Sequence, residues 1–250
     1  MSDARAVALV TGGAGGLGSA ICTKLASDGM RVVVGYNHSA DTAHQLVSTL
    51  EGAGHSARPA SVSDSAALTA LAAAIAHDYG RCDVLVNCAG ITRFVPHADL
   101  DALDDQLIDT ILATNVRGAF AAVRAFRTLL DSSSLPGGGV VVNISSIAAE
   151  IAMGSNIMYC ASKAALDNMT KSLARALAPR IRVVSVSPGF VDTNFVKSLD
   201  QAWRDEQASR APLGRLATPQ DVAAAVAAII TTLTCTTGSI VKVDGGRTLG

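Results

Sequence analysis

Tyr159 and Lys163 stand four residues apart in Tyr159-Cys160-Ala161-Ser162-Lys163, a spacing that puts both side chains on one face of a helix. A free phenol titrates near 10 and is a poor base at neutral pH. A lysine cation about 5 Å away contributes roughly 3 kcal/mol toward the phenolate at an effective dielectric near 20, before desolvation opposes it. The pair is therefore equipped to give and take a proton. Ser145 and Ser146 lie upstream in Asn143-Ile144-Ser145-Ser146, and Asn115 lies further back. A second cluster carries different chemistry: Thr11-Gly12-Gly13-Ala14-Gly15-Gly16-Leu17-Gly18. Glycines at a strand-to-helix turn let the backbone pass close to a pyrophosphate, and the helix N-terminus offers free N–H groups and the positive end of its dipole.

Both clusters need elements to position them. Short β-branched runs alternate with longer helical patterns along the chain. Strands are expected at Ala6–Thr11, Arg31–Tyr36, Ala57–Ser61, Val84–Asn87, Val140–Ile144, Ile181–Ser187 and Ser239–Val243. Between them, helices are expected at Leu17–Asp28, from a Ser39 cap to about Ala53, and from a Ser63 or Asp64 cap to about Tyr79. Others are expected at Asp101–Leu130, Tyr159–Ala178 and, behind Thr218-Pro219, to about Leu233. Continuous runs such as Val32-Val33-Val34 and Val140-Val141-Val142 suit strands covered on both faces. Right-handed crossovers then give a doubly wound parallel sheet, with ligands bound beyond the carboxyl ends of its strands. The glycine turn follows the first strand, Ser146 ends the fifth, and Tyr159 opens the helix after it. Asn194–Leu213 is polar, shows no clean period, and is expected to be irregular.

In this order the residues resemble the short-chain dehydrogenase/reductase family over essentially the whole chain. Its TGxxxGxG motif matches Thr11, Gly12, Gly16 and Gly18. Its NNAG motif appears as Asn87-Cys88-Ala89-Gly90, with Cys88 replacing the second Asn, and its PG segment is Pro188-Gly189. The resemblance implies a single-domain α/β Rossmann fold over residues 1–250: a seven-stranded doubly wound parallel sheet with helices on both faces and a substrate lid at about 190–215. It implies a catalytic set of Asn115, Ser146, Tyr159 and Lys163. Hydride addition to a carbonyl leaves an alkoxide; Tyr159 would protonate it and Ser146 would hydrogen-bond the oxygen as charge develops. Lys163 would also hold the nicotinamide ribose, and Asn115 would position a water linking Lys163 to solvent. The cofactor contacts implied are Thr11, Gly12, Gly15, Gly16, Leu17, Gly18, Tyr36, Asn37, His38, Ser39, Val62, Asn87, Ala89, Gly90, Tyr159, Lys163, Pro188, Gly189, Val191 and Thr193. At the second strand's end, Gly35-Tyr36-Asn37-His38-Ser39 has no carboxylate to repel a 2′-phosphate and no Arg or Lys to clamp one. NADP(H) is the favoured cofactor and NAD(H) the alternative.

The pattern is nearest to 3-oxoacyl-carrier-protein and acetoacetyl-CoA reductases, through Gly90-Ile91-Thr92-Arg93 and Asp244-Gly245-Gly246. Those that serve a carrier protein present basic residues before the fifth strand. Here Asp131-Ser132-Ser133-Ser134-Leu135-Pro136-Gly137 has none, and only Arg180 remains nearby. A free ketone, a CoA thioester or a sugar stays open as substrate, and Met153, Phe190, Phe195 and Trp203 are candidates for an apolar lining. The competing readings are an NADPH-dependent reductase of a 3-oxoacyl or similar ketone, an NAD-dependent dehydrogenase of a sugar or secondary alcohol, and a non-catalytic nucleotide sensor. An intact acid/base set argues against the sensor. Apolar helices at 101–130 and 159–178 imply, by resemblance, a homotetramer.

Composition sets the outer limits. With 20 Lys+Arg against 21 Asp+Glu, the chain has no nucleic-acid footprint. Val222–Ile230, the longest apolar stretch, is too short to span a bilayer. The first residues read as no signal peptide, so a cytoplasmic protein is expected. The five cysteines (Cys22, Cys82, Cys88, Cys160, Cys235) form no CxxC pair, and the five histidines show neither HxxxH nor HExxH spacing. Free thiols and no metal are expected.

Overall fold

The computed structural model describes residues 5–193 and 200–249. Seven parallel strands form one sheet in the order β3-β2-β1-β4-β5-β6-β7. They are β1 Val7–Thr11, β2 Arg31–Tyr36, β3 Ser56–Pro59, β4 Val84–Asn87, β5 Gly139–Ile144, β6 Ile181–Pro188 and β7 Ile240–Val243. The connecting helices are α1 Gly16–Ser27, α2 Ala40–Thr49, α3 Ser65–Tyr79, α4 Asp105–Leu112, α5 Ala119–Asp131, α6 Ala148–Ile151, α7 Ile157–Leu177, α8 Gln201–Ser209 and α9 Pro219–Thr231. The fold is a single-domain Rossmann fold with helices on both faces. Alternate strand residues divide the core. Ala8, Val10, Val32, Val34, Val140 and Val142 pack against α1 and α9. Val7, Leu9, Val33, Leu85, Val141 and Val183 pack against α3, α5 and α7. Burial on both faces is why these strands read as unbroken apolar runs.

Strand order reverses between β1 and β4, whose ends pair Thr11 with Asn87. This switch point is where a parallel sheet opens a crevice for ligands. The sheet's opposite end is stapled by Asp83, whose side chain is fully buried. Its carboxylate accepts from the Val7 amide at 2.9 Å, from Arg81 at 2.7 Å through each oxygen, and from Ser133 at 2.7 Å. It thereby ties the start of β1 to the loop before β5.

Two expected elements differ. The stretch 101–130 is not one helix: α4 starts at Asp105, where Asp104 caps it by accepting from the Leu107 amide at 2.8 Å, and a π-helical turn, Ala113–Gly118, separates α4 from α5. Thr114-Asn115-Val116 and Gly118 are weak helix formers, so the α pattern yields there. The second is 194–213, which was expected to be irregular. Residues 194–199, with Phe195 and Lys197, lie outside the described residues, and Gln201–Ser209 is a helix. Smaller shifts are of a residue or a few: α2 ends at Thr49, and α7 starts two residues before Tyr159.

The Asp83 staple can be tested. Burial opposes its charge, but hydrogen bonds from Arg81, Ser133 and Val7 outweigh that and hold the carboxyl below the usual carboxylate range. A depressed folded-state value stabilises the fold above the unfolded value near 3.9, and that stabilisation is lost as pH falls through the folded value. Urea denaturation at pH 7 should show Asp83→Asn less stable by about 2–3 kcal/mol. The gap should narrow below about pH 4.

Candidate active site

The glycine turn after β1 is built by close backbone approach. Gly12 has φ +66°, and a Cβ there would lie 2.8 Å from the Ala89 Cα. A Cβ on Gly18 would sit 2.3 Å from the Gly12 carbonyl oxygen. At Gly16, by contrast, a Cβ would make only ordinary contact, with the Thr193 side chain at 3.9 Å. Gly15 is the N-cap of α1 and no side chain caps this end, leaving its first-turn N–H groups to an outside acceptor. Thr11 acts behind the turn. It is fully buried, its Oγ1 donates to the Val86 carbonyl at 3.3 Å and accepts from the Cys88 and Ala89 amides at 3.2 Å each. This draws the 87–90 segment against the turn.

A cleft of about 440 Å³ runs from this turn along the carboxyl edge. Gly12, Gly15, Gly16, Leu17, Gly18, Tyr36, Asn37, His38, Ser39, Val62, Ala89 and Gly90 line it. Thr11 and Asn87 do not. Asn87 is buried behind the wall, donating to Asn143 Oδ1 at 2.9 Å and to the Ala119 carbonyl at 3.3 Å. Thr11 Oγ1 is committed to protein partners, whereas Asn87 uses its Nδ2 inside the protein and its buried Oδ1 has no partner. Thr193 borders a separate hollow beside α1, reached from the cleft past Gly16. Cys88, Ala60, Ser63 and Thr114 also line the cleft and were missed: Ala60, Ser63 and Thr114 match none of the TGxxxGxG, NNAG or PG positions, and Cys88 stands where the NNAG motif has Asn. The glycine cradle and the uncapped α1 end fit a dinucleotide pyrophosphate.

An adjoining pocket of about 240 Å³ holds the reactive groups, with Leu17, Cys88, Gly90 and Ile91 common to both. Ser146, Tyr159, Lys163, Pro188, Gly189 and Val191 line it. Asn156 sets the start of α7: its Oδ1 accepts from the Tyr159 amide at 2.7 Å, which places Tyr159 in the first turn. The Lys163 ammonium lies 5.6 Å from the centre of the Tyr159 ring. Lys163 is almost fully buried and gives one of its three donors to the Ile144 carbonyl at 2.8 Å. The Tyr159 hydroxyl has no hydrogen-bond partner among the described residues. Ser146 Oγ accepts from the Ala148 amide at 3.2 Å, and its own proton has no protein acceptor among the described residues. Ser145 turns the other way, donating to the Lys163 carbonyl at 3.3 Å.

Asn115 sits in the π-helical turn, nearly fully buried. Its Nδ2 donates to the Ile91 carbonyl at 3.0 Å and Ser162 Oγ at 3.1 Å, while Oδ1 accepts from the Ile91 amide at 2.9 Å. It clamps the 90–92 loop to α7, and one Oδ1 lone pair is left for a water. Beyond the pocket, Trp203 on α8 meets Phe190 edge-on at 5.4 Å, and Arg204 pairs with Asp192 at 2.8 Å. Among the described residues, no group of three or more His, Cys, Asp or Glu is placed to hold a metal, and no helix is long and apolar enough to cross a membrane.

This geometry can be set beside known proteins. The family profile described as Enoyl-(Acyl carrier protein) reductase matches residues 12–248. The chain belongs to the short-chain dehydrogenase/reductase family. It is 37% identical over 250 residues to cis-4-hydroxycyclohexanecarboxylate dehydrogenase of Sinomonas cyclohexanicum, covering 98% of this chain and 97% of that protein. It is 33% identical over 244 residues to 3-oxoacyl-[acyl-carrier-protein] reductase of Thermotoga maritima, covering 96% of each. A crystal structure of 3-ketoacyl-(acyl-carrier-protein) reductase from Brucella melitensis, complexed with NADH, matches with TM-score 0.86 and 30% identity, covering 98% of this chain and 99% of that one. Short-chain dehydrogenase/reductases are oxidoreductases that bind NAD(H) or NADP(H) and act on small molecules.

Cys88 departs from the family motif within the cleft wall. Burial pushes its thiol up to about 11, against a smaller downward pull from Lys163, so it stays protonated at neutral pH. Iodoacetamide at pH 7.5, read by mass spectrometry, should therefore modify exposed Cys235 and leave Cys88 intact.

Proposed function

We propose that the chain is an NADPH-dependent carbonyl reductase acting on a 3-oxoacyl compound or a similar ketone, with Tyr159 as proton donor. The observation that carries this reading is the uncommitted Tyr159 hydroxyl, beside a buried Lys163 and in one pocket with an uncommitted Ser146 proton. The bound dihydronicotinamide supplies the hydride. Ser146 donates to the carbonyl oxygen and stabilises the charge that develops there. Tyr159 releases its proton to that oxygen. Lys163 lowers the cost of the phenolate left behind, and its two remaining donors are available to the cofactor ribose and to solvent. Asn115 keeps the 90–92 loop and α7 in register around them.

Preference for NADPH is supported at the far end of the cleft. Tyr36, Asn37, His38 and Ser39 line it, and no carboxylate does among the described residues. Ser39 is the N-cap of α2, yet its hydroxyl makes no capping bond, so it and the helix end are free to meet a 2′-phosphate. The second reading, an NAD-dependent dehydrogenase of a sugar or secondary alcohol, is favoured by the absence of any Arg or Lys lining that end among the described residues. We place the protein in the cytoplasm as a homotetramer, whose contacts include the α5 and α7 faces carrying exposed Phe120 and Ile157. Residues 200–215 form part of a substrate lid. A sedimentation mass near the 25.4 kDa of one chain would reject the tetramer.

The first test is NADPH consumption with acetoacetyl-CoA. Tyr159→Phe should lower turnover at least 100-fold with NADPH binding unchanged; retention above a tenth of wild-type activity removes Tyr159 as the acid. Asn37→Asp should weaken NADPH at least tenfold and spare NADH, by placing a carboxylate against the 2′-phosphate. NADH bound or used better than NADPH by the wild type would decide for the second reading.

A further inference from the structure

A recess of about 230 Å³ adjoins Ser146 and Tyr159 on the side away from the nucleotide cleft. Ile147, Met153, Phe190 and Val191 give it apolar walls, and Thr92 and Ser155 bring hydroxyls to it. No charged side chain lines it among the described residues. The two hydroxyl oxygens lie 2.5 Å apart, so one donates to the other.

The neighbouring amide fixes how many protons remain. Asn156 is fully buried, and its Nδ2 donates to Thr92 Oγ1 at 3.2 Å and to the Arg93 carbonyl at 2.8 Å. Both amide hydrogens are spent, and Thr92 Oγ1 is held as an acceptor. The hydroxyl pair owns two protons and uses one internally. Whichever oxygen donates within the pair, one O–H is left over, and no acceptor for it exists among the described residues. The proton chemistry assigned to Ser146 and Tyr159 does not use it.

We infer that the Thr92–Ser155 pair anchors a second, uncharged oxygen of the substrate while the reacting carbonyl sits at Ser146 and Tyr159. The inference rests on the reductase reading. It narrows the substrate class to ketones carrying a further carbonyl or hydroxyl oxygen, as a 3-oxoacyl ester or thioester does. One neutral donor among apolar walls does not offset the desolvation of a carboxylate, so an anionic group is disfavoured there.

The test compares ethyl acetoacetate, 2-hexanone and acetoacetate with NADPH, in the wild type and in the double variant Thr92→Val/Ser155→Ala. In the wild type, KM for ethyl acetoacetate should be at least tenfold below that for 2-hexanone and for acetoacetate. In the double variant it should rise about tenfold with kcat within twofold, while 2-hexanone is unchanged. Ser155→Thr, which keeps the hydroxyl, should retain the preference. Equal KM values in the wild type overturn the anchor whether or not the variant folds. An equal loss on both ketones in the variant, or no loss, also overturns it and leaves the reductase reading standing. If the wild type reduces none of the three, the reductase reading fails and the anchor falls with it.

Discussion

Asn143 donates from Nδ2 to Thr170 Oγ1 across 2.8 Å, both fully buried, and that bond fixes how α7 is turned about its own axis. Two neighbours reinforce it. Asn87 donates to Asn143 from β4, and Ser185 on β6 donates to Asp167 at 2.8 Å. Thr11, Asn87, Asn143 and Ser185 lie in register across four adjacent strands, β1, β4, β5 and β6, where the apolar runs give way to polar side chains. In a sheet covered on both faces an unpaired polar group is costly, and each member of the row makes at least one hydrogen bond inside the protein, with Asn87 Oδ1 the one atom left without a partner. Thr170 and Asp167 lie one to two helical turns beyond Lys163. Pairing them beneath the helix sends Tyr159 and Lys163 to the crevice above.

The nucleotide side depends on the same edge. Thr11 belongs to the row, and its hydroxyl gathers the backbone of 88–89 against the glycine turn. The turn leaves the α1 terminus uncapped at the reversal of strand order. The glycine turn and the Tyr159–Lys163 pair are thus two outlets of one hydrogen-bonded layer. Burial keeps that layer rigid: its members include fully enclosed side chains, with the half-buried Asp167 at its margin, its carboxyl raised by burial despite the hydrogen bond from Ser185.

Much of this arrangement was legible in the residues. Strands buried on both faces advertise themselves as β-branched runs, and the reactive groups lie just past strand ends because parallel sheets place ligands there. The four-residue spacing of Tyr159 and Lys163 was enough to bring them together. Three features escaped. A π-helical turn widens the spiral without altering the apolar pattern around it, so the interruption at Asn115 looked like continuous helix. Helix α8 is held at its ends and flank: Asp200 accepts from the Trp203 amide at 3.1 Å, and Arg204 pairs with Asp192. It has almost no apolar face to give it a period. Thr11 and Asn87 lie behind the cleft wall and do not line it, because a motif names residues that matter without separating those on the wall from those that support it.

Asn156 joins two functions at one side chain. Its oxygen places Tyr159, the proposed acid, and its nitrogen holds the far wall of the recess through Thr92 and Arg93. The two sides of that wall are therefore joined at Asn156, where a change disturbs the placing of Tyr159 and of Thr92 together, whereas a change at Thr92 or Ser155 leaves the Asn156–Tyr159 bond in place. Met153 and Phe190 make contacts of packing alone with the recess, and no hydrogen bond of the acid/base set passes through their side chains. Divergence toward new substrates has an open route through those two positions and a closed one through Asn156. A scaffold divided in this way can change what it accepts many times over while its reaction stays the same.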